Sequence, residues 1–422
     1  MKKLTVIIFV ITVFRVSAHD QNNYHIHQHI VREAFRLLLL SYPELQNTDL
    51  STYIGIDETN SNSMYKSWGD GTVVSGSWIE DEYDIVYHYG IWSAPEFNQT
   101  LTPELVQLFL SPETIRQVFV SITHFWDADG GLDKSTFLSD YASGIYWSYS
   151  CENAMQKMLK YFNGNFQNRC LSKNKMMWNQ CSYVTTATDF SMKNIIDLYK
   201  QYGTIQIQAT QHLGLNGWET NNCPNLFLQK KWIFEILGRM CHLLADMSVP
   251  AHVHCNSHAG TSGMYYDVYE KNVQNYHLWT ANEIYAQGKT YLNSYQGWDS
   301  PLVYLMYYLN QITDHYASGK TNGDDNYDTN CPGLAEIFPT LGLPTSKTQI
   351  NQSNLSSMHD VLFPLAIRAT AGLLYWFAME TSILSNTTIL NSFGGGKILA
   401  NGINYLSEYH IPANSNGSYF YW

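Results

Sequence analysis

Charge is scarce in this chain of 422 residues, where only 14% are Asp, Glu, Lys or Arg, against about a quarter in average usage. With 45% hydrophobic residues beside it, that scarcity excludes a disordered polyelectrolyte or a charged coiled coil. It leaves ample apolar mass for a packed core, in one large domain or two to three smaller ones. The charge that exists leans acidic, 36 Asp and Glu against 24 Lys and Arg, a formal −12. Such a balance disfavours bulk binding of DNA, RNA or anionic lipid, though not a metal site that neutralises a phosphate locally. The apolar run Leu4 to Phe14 and the uncharged stretch Ala369 to Met379 are both shorter than the ~20 residues that cross a bilayer. No sustained strand alternation and no internal repeat occur, nor does a phosphate-cradling glycine loop. No Ser-His-Asp or Cys-His arrangement stands out as a nucleophilic system.

Aromatic rings are abundant, with 31 Tyr and 12 Trp, which suits a wet cleft lined by amphipathic rings. The N-terminus has the pattern of an export signal over residues 1–18: Lys2 and Lys3, the apolar run Leu4 to Phe14, then Val16-Ser17-Ala18 with cleavage after Ala18. Losing Lys2, Lys3 and Arg15 takes the formal charge from −12 to −15. The expected location is therefore extracellular or periplasmic. In an exported chain Cys151, Cys170, Cys181, Cys223 and Cys331 are candidates for disulfides, whereas Cys241 is expected to pack as a small hydrophobe. Five glycosylation sequons begin at Asn98, Asn351, Asn354, Asn386 and Asn416.

Helical spacing dominates, and the expected fold class is all-α, a multi-helix domain over residues 19–385. The apolar face of 27–41 carries Ile30, Val31, Ala34, Phe35 and Leu38, in line with His27, while His29, Glu33 and Arg36 point to water. Further helices are expected within 103–126, 186–202, 228–248, 264–287, 299–318 and 358–384. The uncharged centre of the last, Ala369 to Met379, reads as the middle of a bundle. Residues 128–225, rich in Cys, Asn, Ser and Tyr, read as an insertion on the helical frame. Residues 386–422 read as an extended tail whose Tyr419, Phe420, Tyr421 and Trp422 are placed to touch a lipid interface.

The stretch RMCHLLADMSVPAHVHCNSHAG, residues 239–260, concentrates the chemistry. His242 and Asp246 lie four apart and share one helix side, continued by Glu235 and Arg239; Ile233, Ile236, Leu237, Met240, Leu244 and Met247 occupy the other. If the ionisable line is buried, each member needs a partner or a metal. Pro250 ends the helix and puts His252 in the turn beyond. Imidazole and carboxylate together suit zinc. An isolated His-x-x-x-Asp is usually a surface pair, so other stretches decide: His27 in IHQHIVREAFRLL, Asp81 in GSWIEDEYD, and His124 in SITHFWDADGG. Asp127 and Asp129 after His124 fit a capped turn better than a calcium loop.

In order along the chain, HQHIV at 27, GSWIED at 76, HFWDADGG at 124, HLLADMSVPAH at 242, YYDVYEKNV at 265 and AIRATAGLLYWF at 366 resemble the zinc-dependent phospholipase C family, and more distantly the fungal zinc nucleases of that fold. The resemblance implies three zinc ions. One would take Asp81, His124, His242 and Asp246. A second would take His252, Glu270 and a further ligand, His258 in preference to Asp267, because Tyr266 stands where the family has a histidine. The third would take His27 and the new N-terminus at His19, where the family usually has tryptophan, with Asp246 bridging. Asp81 would also act catalytically, orienting or deprotonating the attacking water. His254 is left as a cleft or surface residue. Glu82 and Ser121 replace a tyrosine and a phenylalanine of the family's choline cage, so choline preference is not expected. The expectation is a secreted, monomeric phosphodiesterase acting on phospholipid at a membrane or micelle surface, with no nucleic-acid partner and no transmembrane segment. The alternatives are a nuclease of the same fold and a zinc-stabilised binding protein without turnover.

Overall fold

The computed structural model describes residues 26–56, 72–81, 123–130, 152–163, 182–185, 194–200, 209–212, 230–255, 268–292, 300–318 and 352–384. His19, His258, Tyr266, Asp267, Glu82, Ser121, the proposed export signal and tail, and the five cysteines read as disulfide candidates lie outside them.

The described architecture is helical. Its elements are α1 (Ile26–Ser41), α2 (Asp49–Tyr53), α3 (Val73–Ile79), α4 (Ala154–Phe162), α5 (Ile195–Lys200), α6 (Lys230–Asp246), α7 (Pro250–Val253), α8 (Val268–Asn272), α9 (Ala281–Ala286), α10 (Pro301–Asp314) and α11 (Gln352–Glu380). A short antiparallel ribbon pairs β1 (Ser182–Thr185) with β2 (Ala209–His212), Ser182 opposite His212. No strand was expected there, because four residues are too few for a period-2 pattern to register.

Helices α1, α3, α6, α10 and α11 share one apolar core, in which Phe35, Leu38, Val74, Leu237, Leu244, Leu309, Phe363 and Phe377 are buried together. α4 belongs to that core as well. Although it lies within the stretch read as an insertion, Ala154, Met155, Met158 and Tyr161 are fully buried. An Asn153–Gln156 capping box starts this helix. Helix α11 is long and apolar enough to cross a membrane over Leu355–Glu380, yet 89% of its most apolar window is buried inside the protein. It is a core helix in this fold, as the reading of its centre anticipated.

The closest approach is that of α3 to α6. A Cβ at Gly76 would lie 2.0 Å from the Glu235 carbonyl oxygen, and one at Gly238 would lie 2.1 Å from that of Val73. Only glycine at both positions lets the backbones meet this closely. The contact brings the C-terminal end of α3, and Asp81 just beyond it, against the second half of α6.

Several expectations are corrected. Residues 264–287 do not form one helix: α8 passes into a 3₁₀ turn, and α9 restarts at a Thr280–Glu283 capping box. Glu33 does not face water. It is buried, and its Oε2 accepts from the Ala281 backbone N–H at 2.8 Å, holding the start of α9. His29 is partly covered and donates to the Trp279 carbonyl at 2.9 Å. Burial lowers its pKa, partly offset by that bond and by Glu33. His254 is covered too, lying 3.1 Å from Asp314 and donating from Nε2 to the Tyr316 carbonyl at 2.8 Å. Amphipathic spacing identifies the core face of a helix, but it does not reveal which polar residues a second helix will cover.

Candidate metal centre

Four side chains from distant parts of the sequence turn towards one point. From His242 Nε2 the distances are 3.2 Å to His124 Nδ1, 3.1 Å to Asp81 Oδ1 and 3.2 Å to Asp246 Oδ2. His124 Nδ1 is 3.0 Å from Asp246 Oδ2 and 3.5 Å from Asp81 Oδ1. A zinc ion with bonds of about 2.0–2.1 Å would set its ligand atoms about 3.3 Å apart, so these five separations suit metal coordination, with His124, His242 and Asp246 close enough to share one ion and Asp81 grouped with His242 and His27. Two carboxylates and two imidazoles also form the right donor set. Asp246, fully buried, would otherwise hold an anion against histidines without a well-aligned hydrogen bond to either oxygen.

Three segments hold the four side chains. His242 and Asp246 are four apart on α6, and residues 123–130 carry His124 past them. The Trp126 N–H donates to the His252 carbonyl at 3.1 Å, and the Ala154 N–H to that of Phe125 at 2.9 Å. Asn310 on α10 donates to the Trp126 carbonyl at 2.6 Å. His242 Nδ1 donates to the Ser77 carbonyl at 2.6 Å. That bond fixes the tautomer, leaving the Nε2 lone pair for an ion, as outer hydrogen bonds do around metal-bound histidines. Without an ion, burial lowers the His242 pKa, but Asp246 and Asp81 overcome it and raise the imidazole well above its ordinary range. Asp246 is held well below the usual carboxylate range, because His242 and His252 outweigh the opposing effect of burial.

His27, the inward residue of α1, stacks on His242 with ring centroids 3.7 Å apart, and its Nε2 lies 3.4 Å from Asp246 Oδ1. Asp246 therefore turns one oxygen to His124 and His242 and the other to His27. Two overlapping groups could each hold a metal ion: His124, His242 and Asp246, and also His27, Asp81 and His242. His252 is buried beside them, donating from Nδ1 to the His124 carbonyl at 3.0 Å, and burial lowers its pKa against the opposing pull of Asp246. Glu270 is buried on α8. Neither His252 nor Glu270 belongs to the two groups, and the further ligands expected with them, His258 or Asp267, lie outside the described residues, as does His19.

Beneath this centre is a buried ionic network that sequence reading missed. Glu80, adjacent to Asp81, is fully buried. Its Oε1 lies 2.5 Å from Lys157 Nζ, and its Oε2 accepts from Arg239 at 2.8 Å and from the Tyr161 hydroxyl at 2.5 Å. Burial pushes this carboxyl up, but Lys157, His124 and Arg239 bring it far below its ordinary range. Arg239 also reaches Glu235 at 3.3 Å, where burial wins and raises the pKa. The Glu235–Arg239 stripe had signalled that a buried partner was needed; nothing in the sequence pointed to Lys157 on α4. Cys241 is buried with a free thiol.

Comparison with models of known families, with curated proteins and with solved structures returns no match for this chain.

Proposed function

We propose that the protein is an exported, zinc-dependent phosphodiesterase of the phospholipase C type, cleaving a glycerophospholipid to diacylglycerol and a phosphorylated head group. The observation that supports this reading best is the convergence of Asp81, His124 and Asp246 on His242, each with a donor atom within 3.2 Å of its Nε2. It gains support from the ordered motifs that resemble the family. Asp81, His124, His242 and Asp246 would hold the first zinc and His27 an adjacent one bridged by Asp246, with His252 and Glu270 serving a further ion. Bound there, zinc neutralises the phosphodiester and lowers the pKa of a bound water to about 7.

The chain's own residues supply position and proton transfer. Asp81 has a side chain 8% exposed, whereas those of His124, His242 and Asp246 are fully buried. Asp81 would orient or deprotonate the attacking water as well as hold the ion. His242 is held by Ser77 and His252 by the His124 carbonyl, so neither ring must reorient when the phosphate arrives. A net charge near −15 favours a neutral or cationic lipid head group over a polyanion.

The test is hydrolysis of phosphatidylcholine, phosphatidylethanolamine and single-stranded DNA by the purified mature protein, before and after chelation and with zinc restored. Lipid cleavage that chelation abolishes and zinc restores is the expected result. Cleavage of DNA alone would reassign the protein as a nuclease. Fewer than two zinc ions per chain with no cleavage of any substrate would make it a binding protein.

A further inference from the structure

The buried network lies directly behind the metal centre. His124 directs Nδ1 at the cluster and Nε2 towards Glu80 Oε1, 3.6 Å away. Glu80 is placed there by cations from two helices, Lys157 from α4 and Arg239 from α6. The Lys157 ammonium also donates to Thr123 Oγ1 at 3.0 Å. One buried lysine therefore grips the residue before Asp81 and the residue before His124, tying together the two segments that bring these ligands to α6.

We propose that Glu80, held by Lys157 and Arg239, is a positioning residue for the metal centre: its charge, facing Nε2, sets the tilt of the His124 ring, and its ion pair with Lys157 sets the separation of Asp81 from His124. The proposal rests on the reading of the cluster as a metal site. Adjacent carboxylates then have different tasks. Asp81 faces His124 and His242 and gives its charge to the ion. Glu80 has its charge already matched by Lys157 and Arg239 and acts on the ligand His124 from behind. Partners of this kind orient a metal-bound imidazole and raise its basicity, and their loss typically costs about 10–100-fold in metal affinity.

Removing one charge alone would leave an uncompensated ion in the core, so the main test removes both. In E80Q/K157M, Arg239 keeps Glu235 as its anion, and no unmatched charge is created. In E80D the negative charge is kept, but the carboxylate retracts by one methylene from His124 and from Lys157 alike. Zinc affinity is measured by competition with a chromophoric chelator, and the cobalt-substituted protein is followed by its visible d–d spectrum, a readout of ligand geometry that a loss of stability alone does not move. Folding is checked by circular dichroism and thermal melting. Each folded variant is expected to bind the first ion at least 10-fold more weakly with an altered cobalt spectrum. Wild-type affinity and spectrum in either folded variant would overturn the proposal, and E80D decides if the double variant does not fold. Failure of the wild type to bind zinc or cobalt would instead overturn the metal-site reading.

Discussion

Replacing Gly238 with alanine tests how far the centre depends on one helix crossing. The added Cβ would lie 2.1 Å from the Val73 carbonyl oxygen and 2.8 Å from the Gly76 Cα. Both atoms are backbone, so no rotamer change relieves the clash. Restoring ordinary contact near 3.4 Å requires α3 and α6 to part by roughly 1 Å. Overpacking of this kind costs about 1–3 kcal/mol. The displacement matters more for the site than for the fold. His242 rides on α6, while Asp81 and the Ser77 carbonyl follow α3, at 3.1 Å and 2.6 Å from it. Parting the helices by ~1 Å lengthens the Asp81–His242 separation beyond what two bonds of about 2.0–2.1 Å to one ion allow. G238A should therefore melt at a lower temperature and lose zinc affinity by at least ten-fold. G288A is the control, because Gly288 has open space around it and only its φ of +72° is disturbed. The variant is assayed by thermal melting and zinc competition. A folded G238A with unchanged zinc affinity would refute the claim that the glycine contact sets the ligand geometry.

Four further outcomes are expected. Asp246→Asn keeps the side-chain shape but removes the charge shared between His27 and the His124–His242 pair, so metal content after dialysis should fall by at least one ion per chain; unchanged content would contradict the bridging role. Zinc at 100-fold above its dissociation constant should stabilise the protein by about 2.7 kcal/mol, read as a melting temperature that falls with chelator and recovers with zinc. Burial lowers the pKa of His359 although its Nε2 donates to the His277 carbonyl at 2.8 Å; the stability of the neutral ring is present above the unfolded value near 6.5 and is lost as pH falls through the lower folded value, so H359Q should lose less melting temperature than the wild type between pH 7 and pH 5. Truncation after Asn414 should weaken hydrolysis of bilayers and spare that of soluble short-chain lipid, and equal loss on both would remove the tail from the interface.

The centre was legible where chemistry follows local spacing. His242 and Asp246 share a side of α6 because they are one turn apart, and His27 lies in line with Ile30, Val31 and Ala34, all buried. The long helices were legible for the same reason, since an apolar stripe repeats over several turns in each. Tertiary complementarity was not legible. Glu33 looks like a solvent residue until α9 arrives and places its Ala281 N–H against it. Lys157 looks like a surface lysine in a polar stretch until α4 enters the core. The break at 276–280 was legible but missed: Thr280 and Glu283 have capping-box spacing, and continuous apolar content across 264–287 obscured it.

Glu80 and Asp81 show why electrostatics, more than spacing, divides roles at this centre. Each is a carboxylate near His124, at 3.6 Å and 3.5 Å. Breaking a buried ion pair by removing one partner costs about 3–5 kcal/mol, so Lys157 and Arg239 commit Glu80 to the core. Asp81 and Asp246 both lie within 3.5 Å of the His124 and His242 imidazoles. Two carboxylates sharing the same imidazoles form a donor set that a divalent cation would suit, whereas the charge of Glu80 is already matched by Lys157 and Arg239; the adjacent carboxylates are separated in role by what faces each of them.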